Sequence, residues 1–146
     1  MKTDYIAKAS VDIKVSAAEV WEALVNPSTI KQYMFGTDVA SSWKVGDPIT
    51  WKGMWEGKPY EDKGVILELI PCKLLKYTHF SPLAGLPELP ENYHTMTYMI
   101  TEAGSKTFLT LTQDNNPTEK GQAHSEKMWG SMLAGLKILL EKKIDA

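Results

Sequence analysis

The C-terminal stretch "NPTEKGQAHSEKMWGSMLAGLKILLEKKIDA" sets the architectural problem for the whole chain. Trp129, Met132, Leu133, Leu136, Leu139 and Leu140 recur there at spacings of three and four, the period of a long helix with one apolar stripe. Asn116 or Thr118 can cap it. Such a helix must bury its stripe against another layer, and the rest of the chain has to provide that layer.

The preceding residues predict mostly strands. "YIAKASVDIKV" alternates apolar and polar through Ala7, Ala9, Val11, Ile13 and Val15, so strand one runs from Tyr5 to Lys14 with one wet face. "VSAAEVWEALVNP" then carries a helix-start signature: Ser16 as N-cap, Glu19 three residues on, and Val15 against Val20 as a hydrophobic staple. Val20, Trp21, Leu24 and Val25 make its stripe, and Pro27 opens a second short helix, "PSTIKQYM". Beyond Gly36, runs rich in β-branched and aromatic residues alternate with "VGDP", "EGKPYEDKG", "IPCK", a Leu/Pro loop and "EAGSK". Strands are expected at about 48–55, 63–70, 74–80, 93–102 and 106–114, with a weaker one near 37–43.

Short connections favour antiparallel pairing. The order β, α, α, six β, α therefore predicts an α+β domain spanning residues 1–146. In it a curved antiparallel sheet of about six or seven strands wraps around the C-terminal helix.

Composition narrows the partners. All sixteen basic residues are lysine and the net charge is −2; without the guanidinium fork that reads phosphate and guanine, nucleic acid is not expected. No apolar run approaches the ~20 residues that cross a bilayer, and the scattered lysines form no membrane-binding patch. The N-terminus lacks the apolar stretch of a secretory signal, and Cys72 is alone, so the cytoplasm is the expected compartment. No cofactor fingerprint and no metal-ligand spacing is present.

"SVDIKVSAAEVWEALVNPSTIKQYM" is similar to the opening of START-like, helix-grip proteins of the birch-pollen-allergen type, the SRPBCC superfamily. "WKGMWEGKPYEDKGVILELIPCKLLKYTH", "TMTYMITEAGSKTFLTLTQD" and "MWGSMLAGLKILLE" resemble the branch related to the activator of the heat-shock chaperone ATPase. The resemblance implies a sheet gripping the last helix and a cavity between them that takes an apolar ligand. The eukaryotic co-chaperone that names the branch carries an additional chaperone-binding domain. Nothing in these 146 residues supplies one, so chaperone activation is not the expected role.

Alternation assigns side chains to the inner face. The inward sets are Ile49 and Trp51; Leu75, Tyr77 and His79; His94, Met96, Tyr98 and Ile100; and Leu109, Leu111 and Gln113. Trp51, Tyr77, His79, Met96, Tyr98, Gln113, Trp129, Met132 and Leu133 are the candidate lining of a site for a small apolar or amphipathic molecule. A filled core would use the same residues, so sequence leaves both open. "SPLAGLPELPEN" places Leu83, Leu86 and Leu89 among three prolines, a loop that neither helix nor strand can absorb. It reads as a lid over the cavity, with a fixed core cap or a homodimer contact as alternatives.

No catalytic residue is assigned. His79 and His94 face inward as core histidines or general bases, and His124 falls on the outer, solvated side of the helix. Glu68 interests chemistry only if it points inward, and Cys72 and Asp114 lack an activating partner. A binding protein is the first expectation. A chaperone-linked interaction protein and a cyclase- or hydrolase-like enzyme are the alternatives.

Overall fold

A computed structural model describes residues 5–82 and 85–144, with backbone alone at Trp55, Lys143 and Ile144. Strand β1 (Tyr5–Ile13) leads into helices α1 (Ala17–Val25) and α2 (Pro27–Tyr33). Then come β2 (Asp38–Ser41), β3 (Pro48–Trp55), β4 (Lys58–Ile70) and β5 (Leu74–His79). A 3-10 turn at Pro90–Asn92 precedes β6 (His94–Ala103), β7 (Lys106–Asn116) and α3 (Glu119–Ile144). The seven strands form one antiparallel sheet in the order β1-β7-β6-β5-β4-β3-β2, and α3 packs along its inner face: the α+β helix-grip arrangement.

The helix starts are made by the residues whose chemistry suits them. Ser16 accepts from the Glu19 N–H at 3.3 Å, and Asn26 accepts from the Ser28 N–H at 3.0 Å ahead of Pro27. Thr118, rather than Asn116, caps α3 by accepting from the Gly121 N–H at 3.0 Å. Asn116 is instead buried in the joint between β7 and α3. It donates to the Tyr5 and Gln113 carbonyls at 3.0 Å each and accepts from Ser125 at 2.9 Å.

β4 departs most from the sequence reading, starting at Lys58 where a strand from 63 is expected. Glu56 and Gly57 both have positive φ, 50° and 80°, the geometry of a two-residue hairpin turn that matches strand twist. "EGKPYEDKG" is thus a tight turn followed by strand, and Trp51 pairs with Asp62 and Gly53 with Tyr60 across it.

α3 also guards an edge. β1 is the outermost strand on its side, and its outward backbone groups are taken up by α3 side chains. Gln122 donates to the Ile6 carbonyl (2.9 Å) and Glu126 accepts from the Lys8 N–H (3.0 Å). Lys137 donates to the Asp12 carbonyl (2.5 Å) and Glu141 accepts from the Lys14 N–H (3.0 Å). The helix rises roughly 28 Å from Gln122 to Glu141 while the strand covers about 26 Å from Ile6 to Lys14. That match lets two i, i+4 pairs serve one strand.

On its inner side α3 buries Met132, Leu133, Leu136 and Leu140, none more than 3% exposed, in a core with Ile13, Val20, Leu109 and Leu111. Each such side chain contributes about 1.5–3 kcal/mol. Among the described residues no helix is long and apolar enough to cross a membrane.

Candidate functional site

Close packing ends one turn before Met132. There the first turns of α3 and the inner faces of β3–β7 enclose a cavity of about 670 Å³, within the ~300–1,000 Å³ range of small-molecule sites. Three neighbouring strands bring Tyr77, Met96 and Gln113 into one row, with His79 and His94 paired in the next. Trp51 enters from β3 and Trp129 from α3. Phe35, Met54, Leu86 and Met128 rim the mouth, all of them exposed.

The polar groups in the wall are held by the chain itself. His79 Nε2 lies 2.9 Å from Asp62 Oδ2, with the two side chains 22% and 14% exposed. The other carboxylate oxygen, Asp62 Oδ1, is buried and has no hydrogen-bond partner among the described residues. His94 Nδ1 lies 2.9 Å from the Asp114 carbonyl; a carbonyl only accepts, so Nδ1 carries the proton. The imidazoles of His79 and His94 stack at 6.4 Å, and the Trp51 ring meets His79 edge-on at 5.0 Å. Trp129 donates its indole N–H to Gln113 Oε1, leaving the Gln113 amide nitrogen as a donor at the wall.

Gly64 makes the Asp62–His79 contact possible. A Cβ there would stand 1.7 Å from the Thr78 carbonyl oxygen, so only glycine lets β4 cross this close to β5. Beside it, Lys63 and Phe80 exchange backbone hydrogen bonds at 3.0 and 2.8 Å. Gly53 plays a similar part for Tyr60, whose ring covers it and whose hydroxyl is 2.8 Å from Thr37 Oγ1.

Tyr77 in the wall is buried together with two phenols behind it, Tyr33 and Tyr98. Desolvation, reinforced by neighbouring phenols, pushes Tyr33 and Tyr77 well above the ordinary value, and burial raises Tyr98 to about 12. At neutral pH they are hydrogen-bonding phenols, not phenolate bases.

Of the expected lining, Trp51, Tyr77, His79, Met96, Gln113 and Trp129 stand in the wall. Tyr98, Met132 and Leu133 do not. Tyr98 borders a separate void of about 10 Å³ beside α2, and Met132 and Leu133 are packed core at 1% and 0% exposure, because α3 has already closed onto the sheet at that turn. His124, expected on the outer side, is exposed but stands at the cavity. Glu68 points out and faces Lys76 at 3.8 Å.

In the Leu/Pro loop, Leu86 reaches the mouth, Leu89 is 43% exposed and outside the wall, and Leu83 lies outside the described residues. The loop is tied to the body by Lys63 to Glu88 at 2.5 Å, Tyr93 to Glu88 at 3.2 Å, and Asn115 to the Glu91 carbonyl at 2.8 Å. Sequence reasoning missed Asp62, Tyr60 and Phe35. The period-two spacing of Tyr60 and Asp62 after an Glu-Gly turn signals the first two; nothing in the sequence signals Phe35. Among the described residues no group of three His, Cys, Asp or Glu could hold a metal ion.

Comparison with known proteins agrees with this fold. ChR145 from Cytophaga hutchinsonii, a solution structure, is 53% identical over 100% of both chains with a TM-score of 0.87. The Aha1 dimer from Colwellia psychrerythraea is 23% identical over 93% of this chain and 96% of that one, TM-score 0.72. DynU16 of the dynemicin biosynthetic locus is 17% identical over 95% of this chain and 48% of that one, TM-score 0.79. No curated protein matches the sequence. The family model described as Activator of Hsp90 ATPase homolog 1-like protein matches residues 14–141. With its match running from the end of β1 to the last turns of α3, the chain belongs to the Activator of Hsp90 ATPase homolog 1-like family.

Proposed function

We propose that this chain, acting as one domain, is a binding protein that holds a small amphipathic molecule between its sheet and α3. The observation that carries the reading is the cavity of about 670 Å³. In a fold otherwise packed to Ile13, Leu109 and Leu136 at 0% exposure, an open cavity that large keeps apolar wall against water that an apolar guest would displace. The guest's apolar body lies against Trp51, Tyr77, Met96 and Trp129. Its polar end meets the His79, His94 and Gln113 side of the wall, and Leu86 closes over it as the loop's contribution to a lid.

Native mass spectrometry of the protein recovered from its own host tests this. A bound small molecule is expected, lost in Met96→Trp, whose larger side chain fills the same space. A chain that stays bare, and whose thermal unfolding no amphipathic compound shifts, would contradict the reading. The family match supports a second reading, an interaction protein acting on a chaperone ATPase from its outer surface. Pull-down and an ATPase assay with the host chaperone decide it. The dimeric Colwellia relative gives reason to measure the oligomeric state in the same samples.

A further inference from the structure

Holding an apolar guest does not require a buried carboxylate behind an imidazole, and this wall has one. The 2.9 Å contact fixes His79 by its Nε2. In the neutral ring that nitrogen donates its proton to Asp62, so the lone pair is on Nδ1. No protein group among the described residues hydrogen-bonds that Nδ1. Asp62 Oδ1 is buried with no partner either, so the carboxylate's charge is directed at the imidazole alone. A proton arriving on Nδ1 turns the contact into an ion pair, and the carboxylate behind the ring holds the imidazole in one orientation.

We propose that the Asp62–His79 pair makes the cavity a proton-transfer site, with His79 Nδ1 as general base toward a neutral aromatic substrate bearing an acidic C–H. The substrate class follows from the wall: its charged members, Asp62 and Glu91, are both acidic, and Trp51, Tyr77 and Trp129 offer flat apolar faces. Anions are disfavoured there and planar neutral molecules favoured. Asp62 is a positioning residue. The inference rests on the cavity admitting a guest, and its test separates the two.

The probe is 5-nitrobenzisoxazole. His79 Nδ1 takes the C3 proton, the C–H electron pair completes the nitrile, and the ring N–O bond breaks. Its electrons leave on a coloured cyanonitrophenolate, and the proton passes from His79 to water; no co-reactant is needed. Binding is followed separately by the Trp129 indole N–H resonance. Saturable turnover is expected, reduced about a hundredfold in His79→Ala and in the bulkier His79→Gln, the usual share of a positioned base. Asp62→Asn should slow the reaction and displace the rising limb of the pH–rate profile, a change that looser packing would not produce. The ionisable groups that line the cavity with His79 are Tyr60 and Asp62 on β4, Tyr77 on β5, Glu91 in the 3-10 turn, His94 on β6 and His124 on α3. A limb that moves in His94→Ala and not in Asp62→Asn would therefore reassign the base and overturn the proposal. Binding at Trp129 with turnover indifferent to both His79 variants overturns it while the guest-binding reading stands. Neither binding nor turnover overturns both.

Discussion

At the scale of the residue, the site depends on glycines and amides as much as on the rings that line it. Gly64 stands where a Cβ would meet the Thr78 carbonyl oxygen at 1.7 Å, and backbone cannot yield there as a flexible side chain could. Gly64→Ala should cost about 3 kcal/mol, the upper end of overpacking effects, measured by urea unfolding. It should also move the His79 ring resonances, since Asp62 shifts with β4. Asn116 satisfies three polar groups in the β7–α3 joint. Its replacement by Ala leaves a buried Ser125 hydroxyl and two carbonyls short of partners, a loss of about 1–3 kcal/mol on the same measurement. Residues of this kind were the least legible in the sequence. Asp62 hid in a polar stretch containing Pro59, which reads as loop until the Glu56–Gly57 turn is recognised, and Gly64 shows its purpose only once β5 lies beside it.

At the scale of the element, most of the fold was legible because each strand and helix announces itself by period. The inward sets on β5, β6 and β7 followed from alternation, and Ser16 and Pro27 marked their helix starts. Hidden were the interactions between elements, above all the α3 side chains along β1, since Gln122, Glu126, Lys137 and Glu141 read as an ordinary solvated helix face. The Lys137 ammonium and the Lys14 N–H hold the Glu141 carboxyl below its ordinary value of 4.5. On acidification the unfolded chain therefore takes up this proton first. Stability from the contact is complete above that value and fades as pH falls through it toward the lowered one. The protection factor of the Lys14 amide, its exchange rate corrected for the intrinsic rate at each pH, should fall over that acid window, and Glu141→Gln should remove that pH dependence of protection. In the Leu/Pro loop, Lys63 holds the Glu88 carboxyl down in the same way, so the same acid window should release the loop. A lower protection factor at the Tyr93 amide would report it, and Glu88→Gln should show that lower protection already at neutral pH.

At the scale of the molecule, one helix serves two purposes along its length. From Met132 to Leu140 it fills the sheet's hollow, while one turn earlier His124, Met128 and Trp129 form a side of the cavity, with Gln122, Ser125 and Glu126 still tied to β1 and β7. The stripe looks uniform in sequence, which is why Met132 and Leu133 could not be told from Trp129 as lining. Whether a wrapped sheet closes fully is decided by its curvature, and no single residue encodes that. Whether this space admits a guest is read by a methyl and indole NMR titration with 1-naphthol. Saturable shifts are expected at Met96 and Trp129, inside the cavity, with Met99 on the outer face of the same strand as Met96 unmoved. Shifts at Met99 without any at Met96, or no saturable shift anywhere, would contradict it.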